Sequence, residues 1–490
     1  SLWLLWTAGF AMPQLGYFHD DGLYAGTASA LAEGRGYRID SLPGEPWQVK
    51  YPPLFPLYLA LGARWEPALL ALTWALLPAL LYQVWRWRND PVLVFLLGWN
   101  VYSVVFSGTT LSEIFGAVLL LQTVRMLEAE RTRAAALWAG LSYLARTAFL
   151  ALPVGAVLWL LLRRKRREAA EFAAIFVPFF VGWNLWTATH QTPNVTGGSV
   201  YYLSYTRFFW ENMGGGIWPE VLKANVESLV GSAGGALFFN SGTSFWEMNF
   251  ARLLLFAAVA GWVRQWREKG WMPYPLLFLP YAALLTVWNF LPNERFLYPF
   301  VPLLLEGLLT EIRHLAAMLR KTWFTQRGAT ILFGTLAAAG AVWIVQRNAL
   351  ASWKYAPSLP LQYLEMKADR EKAYAWIRDN TPAGANFLTY EDPSLRRHTG
   401  RHGIGIHAPT RFFYRNDMEA ACAYHRGLID NMRAENLQYV LIGPNDLSQD
   451  LTRETREKVL SDWRTRPDLE TVYRNDRYLI RRLRPVQSGM

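Results

Sequence analysis

The sequence predicts a mostly α-helical, polytopic membrane bundle that ends in a water-soluble α/β domain, and three observations carry that reading. Charge is unevenly spread: residues 1–349 hold 27 Lys+Arg and 20 Asp+Glu, whereas residues 350–490 hold 22 and 18 in less than half that length. The mean hydropathy of +0.07 therefore averages an apolar body with a polar tail about one domain in size. The body is also divided into apolar stretches close to the ~20 residues that a bilayer-crossing helix needs. Between these stretches lie short basic clusters: Arg86 and Arg88, Arg131 and Arg133, Arg163-Arg164-Lys165-Arg166-Arg167, Arg264 to Lys269, and Arg313 to Arg327. Basic loops of this kind mark the cytoplasmic side of membrane proteins, and they account for the net charge of +11 without nucleic acid.

In chain order the expected spans are 2–17, 66–85, 91–107, 111–127, 134–147, 149–162, 169–187, 250–265, 272–290, 295–312 and 329–347. Residues 134–162 are read as two helices because one helix would bury Arg146 in mid-bilayer. With the break, Arg146 reaches the same face as Asp20. Eleven spans place the N-terminus inside and the tail outside, as the basic loops require. Residue 1 is serine, so the natural start and a charged cytoplasmic leader are expected upstream. The first stretch shows no small-residue cleavage site and is read as a retained anchor.

Two long loops, 18–65 and 188–249, are expected on the external face. The second holds Tyr201-Tyr202, Tyr205, Phe208-Phe209-Trp210 and the glycine runs 214–216 and 234–235, a composition that suits the membrane interface. Segment 54–63 is too short to span and is expected to lie along the surface. The expected domains are thus a transmembrane body, 1–349, and an external domain, 350–490. In the tail, 368–379 reads as a helix stopped by Asn380-Thr381-Pro382. Strands are expected at 385–390, 439–442, 469–474 and 477–483, with a helix over 452–464. The one cysteine, Cys422, excludes an intrachain disulfide.

The residues that promise chemistry lie where the first apolar stretch ends: His19-Asp20-Asp21-Gly22-Leu23-Tyr24, followed by Lys50-Tyr51-Pro52-Pro53-Leu54-Phe55-Pro56. Adjacent acids at a membrane exit are costly to desolvate and point to a reactive site at the boundary with water. A positioned carboxylate can activate a weak hydroxyl nucleophile by taking its proton. The plainer reading makes one acid the cap of the following helix.

These segments, with Ala30-Leu31-Ala32-Glu33-Gly34-Arg35-Gly36-Tyr37, resemble the first external loop of GT-C glycosyltransferases. The branch in question holds the bacterial relatives of protein O-mannosyltransferases and of the lipid A aminoarabinose transferase. The resemblance continues through Thr110-Leu111-Ser112-Glu113, Leu144-Ala145-Arg146-Thr147, Glu294-Arg295-Phe296-Leu297-Tyr298-Pro299 and Ala375-Trp376-Ile377-Arg378-Asp379-Asn380-Thr381-Pro382. It implies a GT-C-like bundle in a bacterial plasma membrane. It also implies inverting transfer of a sugar from a polyprenyl-phosphate carrier to an acceptor glycan, lipid or protein.

In that family the first acid of the pair is the general base, which falls on Asp20. The second is often glutamate; the shorter Asp21 argues against a metal-binding or auxiliary role, and a divalent cation is left open. A leaving phosphate calls for fixed cations, and Lys50, Arg146 and Arg295 are expected at external helix ends. Their bland reading is snorkelling towards headgroups. Tyr51 accompanies Lys50. Glu113 is placed to orient a cation or a sugar hydroxyl, or simply to favour a helix N-terminus.

His398, His402, His407 and His425 lack the partners of a metal site and read as polar surface or acceptor contacts. Asn194-Val195-Thr196 matches a glycosylation sequon. No phosphate loop or dinucleotide glycine motif occurs. A transporter or flippase of lipid-linked sugars is the rival; transporters usually set ionisable groups near the bilayer midplane within inverted repeats. A receptor-like scaffold is the third reading.

Overall fold

The structure is a computed structural model that describes residues 7, 10, 12, 15–16, 18–193, 197–239, 244–322, 327–448 and 450–485. The first expected span, 2–17, lies largely outside these residues, and the sequon at 194–196 wholly outside them. The chain forms two compact units, each assembled from separated stretches. A helical unit comprises Ser1–Ala11, Leu70–Trp183 and Leu222–Leu359. A mixed unit comprises Met12–Leu69, Asn184–Val221 and Pro360–Met490. The first loop and the aromatic segment thus group with the tail.

In the helical unit the expected spans appear as helices, several of them interrupted. Residues 91–107 form two, Pro91–Trp99 and Val101–Ser107. Asn100 between them is extended; its side chain accepts from the Tyr102 amide and donates to the Ala236 carbonyl at 2.7 Å. A residue that caps one helix and binds another segment leaves no reason for the helix to run on. Helix Thr132–Ala145 ends as expected at Arg146, which is extended, and a 3₁₀ turn, Thr147–Leu150, leads into Ala151–Leu162. Helices Phe245–Lys269 and Val301–Thr322 meet backbone to backbone. A Cβ on Gly261 would come within 1.9 Å of the Gly307 carbonyl oxygen, the close approach that small residues permit in membrane bundles.

Among the described residues, Glu66–Arg88 and Arg166–Thr189 are long and apolar enough to cross a membrane, and Thr147–Leu162 and Pro273–Thr286 are shorter apolar helices. The segment 188–249, read as a loop, is largely helical: Val200–Leu203, Tyr205–Met213 and Trp218–Leu237. Its aromatic and glycine content concealed runs of good helix formers such as Glu220-Val221-Leu222-Lys223-Ala224.

The mixed unit contains a five-stranded sheet, β1 Asn386–Thr389, β2 His402–Ile404, β3 Tyr439–Ile442, β4 Leu469–Arg474 and β5 Leu479–Leu483, in the order β2-β1-β3-β5-β4. β1 pairs parallel with β2 and β3, while β5 joins antiparallel to β3 and β4. β1 and β3 are buried along their whole length because helices cover both faces. Leu388, Val440 and Ile442 pack with Leu428, Val459 and Trp463 on one side. Phe387, Tyr439 and Leu441 pack with Ala373, Tyr374 and Ile377 on the other. Four of these strands were legible; β2 has three residues, His402-Gly403-Ile404, and too little alternation to announce itself.

Helix Asp20–Ala32 packs against helix Asp392–Thr399. At Gly22 a Cβ would lie 2.6 Å from the Cβ of Pro393, and at Gly16 (φ +92°) 2.7 Å from that of Ser394. Gly22→Ala is therefore expected to destabilise the protein by roughly 1–3 kcal/mol through overpacking, read as a lowered unfolding midpoint of the full chain in detergent.

Candidate functional site

The residues singled out from the sequence fall into two groups, each within one unit. Asp20, Asp21, Lys50 and Tyr51 belong to the mixed unit, and Glu113, Arg146 and Arg295 to the helical unit.

Both acids lie in the first turn of helix Asp20–Ala32, where the helix dipole favours negative charge, but their oxygens are used differently. Asp21 is buried. Its Oδ2 accepts from the Gly16 amide at 2.8 Å and its Oδ1 from the Phe18 amide at 2.9 Å. It fastens the incoming chain to the helix, and burial outweighs those amides in raising its pKa. Its carboxylate serves the fold. Asp20 is half-buried, and its Oδ1 accepts from the Tyr51 hydroxyl at 2.5 Å.

Gln48 explains why the Lys50-Tyr51 pair sits where it does. Its side-chain oxygen accepts from the amides of Lys50 (3.0 Å) and Tyr51 (3.2 Å), and its nitrogen reaches Thr27 on the helix. The Lys50 Nζ is buried 3.1 Å from the ring centroid of Tyr201, with the Tyr51 ring at 4.8 Å and the Tyr202 ring at 5.6 Å. It has no hydrogen-bond partner among the described residues. Burial lowers its pKa from 10.5 to about 7, while the charges of Asp20, Asp392 and Asp450 favour the cation. An ammonium over aromatic faces is held by weak forces and stays available to a stronger anion.

Around this pair lies a buried network that the sequence reading did not assign. The His19 Nε2 is 2.7 Å from the Tyr202 hydroxyl, 3.1 Å from Asp392 Oδ1 and 3.2 Å from His407 Nε2. The Tyr202 hydroxyl donates to Asp392 Oδ1 at 2.7 Å, and His407 Nδ1 is 3.7 Å from Asp450 Oδ2. His407 and His425, read as polar surface, are buried instead: their side chains fill the interior beside the sheet, and His425 bonds the Ala421 carbonyl. His19 precedes the acid pair and Tyr201-Tyr202 stood out as aromatic, but no spacing in the sequence joins them to residues 392 and 407.

In the helical unit Glu113, at the start of helix Glu113–Glu128, is fully buried. Its Oε1 accepts from Arg295 Nε at 2.8 Å and pairs with Arg146 Nη1 at 3.2 Å; Arg146 also donates to the Ser112 hydroxyl. Among the described residues no group of three His, Cys, Asp or Glu is arranged to hold a metal ion. A surface cleft of about 670 Å³ lined by Glu33, Arg64, Glu66 and Arg397 includes none of these site residues.

No protein-family model and no curated protein matches the chain. Solved structures do. ArnT from Cupriavidus metallidurans bound to undecaprenyl phosphate aligns with a TM-score of 0.51 over 98% of this chain and 96% of that one, at 12% identity. The same protein in the apo state aligns with a TM-score of 0.50 over 97% and 95%, also at 12% identity. The chain thus shares the fold of ArnT over nearly its whole length.

Two outcomes follow. Asp21→Ala strands two backbone amides and is expected to cost about 1–3 kcal/mol of stability, measured by thermal unfolding. Lys50 binds a proton up to 10.5 when unfolded but only to about 7 when folded. Between those values the unfolded chain holds more protons, so the native protein gains stability as pH rises through that window. In Lys50→Met that gain is expected to vanish, as unfolding midpoints of both proteins from pH 7 to 10 will show.

Proposed function

We propose that this protein is an integral plasma-membrane glycosyltransferase that moves a sugar, with inversion, from a polyprenyl-phosphate carrier to an acceptor hydroxyl or amine on the external face. One observation carries the reading. Asp20 is a carboxylate fixed by Tyr51, within electrostatic reach of a buried amine, Lys50, that has no hydrogen-bond partner among the described residues. It occurs in a chain with the fold of a protein crystallised with undecaprenyl phosphate.

The roles follow from the chemistry. Asp20 takes the acceptor's proton as its oxygen or nitrogen attacks the anomeric carbon, worth ~10²–10⁴-fold. The Tyr51 hydroxyl fixes one carboxylate oxygen and with it the direction of the side chain. The carrier leaves as a phosphate that gains charge, and a cation beside it lowers the barrier. Lys50 fits that part because an arriving phosphate reverses the desolvation that holds its pKa down. Within the helical unit, Arg146 and Arg295, whose geometry Glu113 fixes, are proposed to bind an anionic headgroup. The prenyl chain would lie along apolar helices, and the tail domain would brace the loops or select the acceptor. Asp21 serves the fold, so no metal step is written through it.

Mass spectrometry of glycans, lipids and envelope proteins from a deletion strain identifies the acceptor. Release of undecaprenyl phosphate from its mannosyl, glucosyl and aminoarabinosyl derivatives then gives turnover. Asp20→Asn is expected to lower turnover at least 100-fold while undecaprenyl phosphate binds within about threefold of wild type. Arg146→Ala and Arg295→Ala are expected to weaken that binding about tenfold or more. Full turnover in Asp20→Asn removes the base; a wild type idle on all three donors, in a strain with no altered glycan, removes the function.

A further inference from the structure

The backbone just before Asp20 is strained. His19 has φ +59° and ψ −58°, and the Asp20 amide donates to the Phe18 carbonyl at 2.6 Å. That is the γ-turn of positive φ, rare in any residue and costly in one with a side chain. Such a conformation persists only where the surroundings over-determine it. Here the surroundings include the amide bonds of Asp21 on one side of the turn and the contacts of the His19 imidazole nitrogen on the other.

Those contacts balance in one way. The Tyr202 hydroxyl gives its proton to Asp392 Oδ1, so its oxygen accepts from His19 Nε2, and that nitrogen carries hydrogen. The same N–H points towards Asp392. His407 Nε2, 3.2 Å away, must then present a lone pair, with its own proton on Nδ1, the nitrogen nearest Asp450. A proton added to His407 Nε2 would set two N–H groups head to head.

We propose that His19 is a positioning residue for Asp20: its imidazole, docked on Tyr202, Asp392 and His407 through one shared proton, holds the γ-turn that aims the catalytic carboxylate. This rests on the reading of Asp20 as base. The groups facing the two imidazoles are Tyr201 and Tyr202 from the aromatic segment, Tyr390 and Asp392 after β1, Asp450 after β3, and Lys50 from the first loop. Burial and the neighbouring His19 keep the His407 pKa below the ordinary 6.5, with Asp450 opposing them. The second proton therefore enters on the acid side of the normal histidine range. The docking then opens, the turn relaxes and Asp20 loses its aim. The sign agrees with linkage: the unfolded chain takes that proton first, so native stability also falls as pH drops through this window.

The test compares kcat, KM and unfolding midpoint for the full chain in nanodiscs, between pH 5 and 8, on the undecaprenyl-phosphoryl sugar that the wild type turns over. His19→Ala is expected to lower kcat about 100-fold with KM for the donor within threefold, since a misaimed base slows chemistry without loosening the substrate. His19→Gln places an amide N–H near the Nε2 position and cannot titrate. It is expected to recover kcat to within about tenfold of wild type and to keep the acid limb of the pH profile, since the proton enters on His407. His407→Gln, which offers an acceptor oxygen and cannot titrate, is expected to lose that limb. In His19→Ala, a purely structural His19 would lower the midpoint and leave the profile's shape intact, which overturns the proposal. So does an unchanged kcat in His19→Ala, or an acid limb that survives in His407→Gln. If Asp20→Asn alone keeps full turnover, the base assignment fails first; if Asp20→Asn is dead and His19→Ala is not, only the positioning role fails.

Discussion

The mixed unit depends on how closely two helix starts approach each other. Helix Asp20–Ala32 and helix Asp392–Thr399 meet where Gly16 and Gly22 face Ser394 and Pro393 with no room for a Cβ. That approach puts His19 within reach of Asp392, and from it the direction of Asp20 follows. Asp21 completes the arrangement by turning the preceding chain back with its own carboxylate. Adjacent acids that look equivalent in sequence are thereby divided, one spent on backbone amides and one left beside a hydroxyl and an amine. The division needs no difference in residue type; helix geometry alone sends neighbouring side chains in different directions.

Burial then sets the electrostatics. A lysine amine over tyrosine rings and the imidazole of His407 are both costly to charge, and burial lowers the pKa of each. The effects oppose each other in pH: the histidine pair fails on the acid side, the lysine loses its charge on the alkaline side.

The fold class was legible because it rests on composition. A charge density that doubles after residue 349, and apolar stretches set between basic clusters, need no three-dimensional information. Strands β1, β3, β4 and β5 announced themselves by β-branched and aromatic runs, whereas β2 did not. The loop motif around Asp20 and Lys50 was legible as well, since its residues sit close in sequence. What stayed hidden was non-local. His19 meets Asp392 and His407 across more than 370 positions, and a buried histidine in a glycine-rich segment looks like a surface one until the sheet covers it. The aromatic segment was misread for the opposite reason, its helices being short and their formers scattered among glycines and rings.

The break at Arg146 shows which kind of sequence argument holds best. An arginine inside an apolar stretch poses a question with few answers: it must pair, snorkel or end the helix. In this chain it ends the helix and pairs as well, through an extended residue that carries the guanidinium to Glu113 and Ser112. Glu113 in turn is tolerable as a fully buried acid because Arg295 approaches it at 2.8 Å from another segment. Removing either arginine would leave a carboxylate underpaid in a poorly solvated place, and removing the acid would set two guanidiniums against each other. Three charges that are each implausible alone are stable as a set.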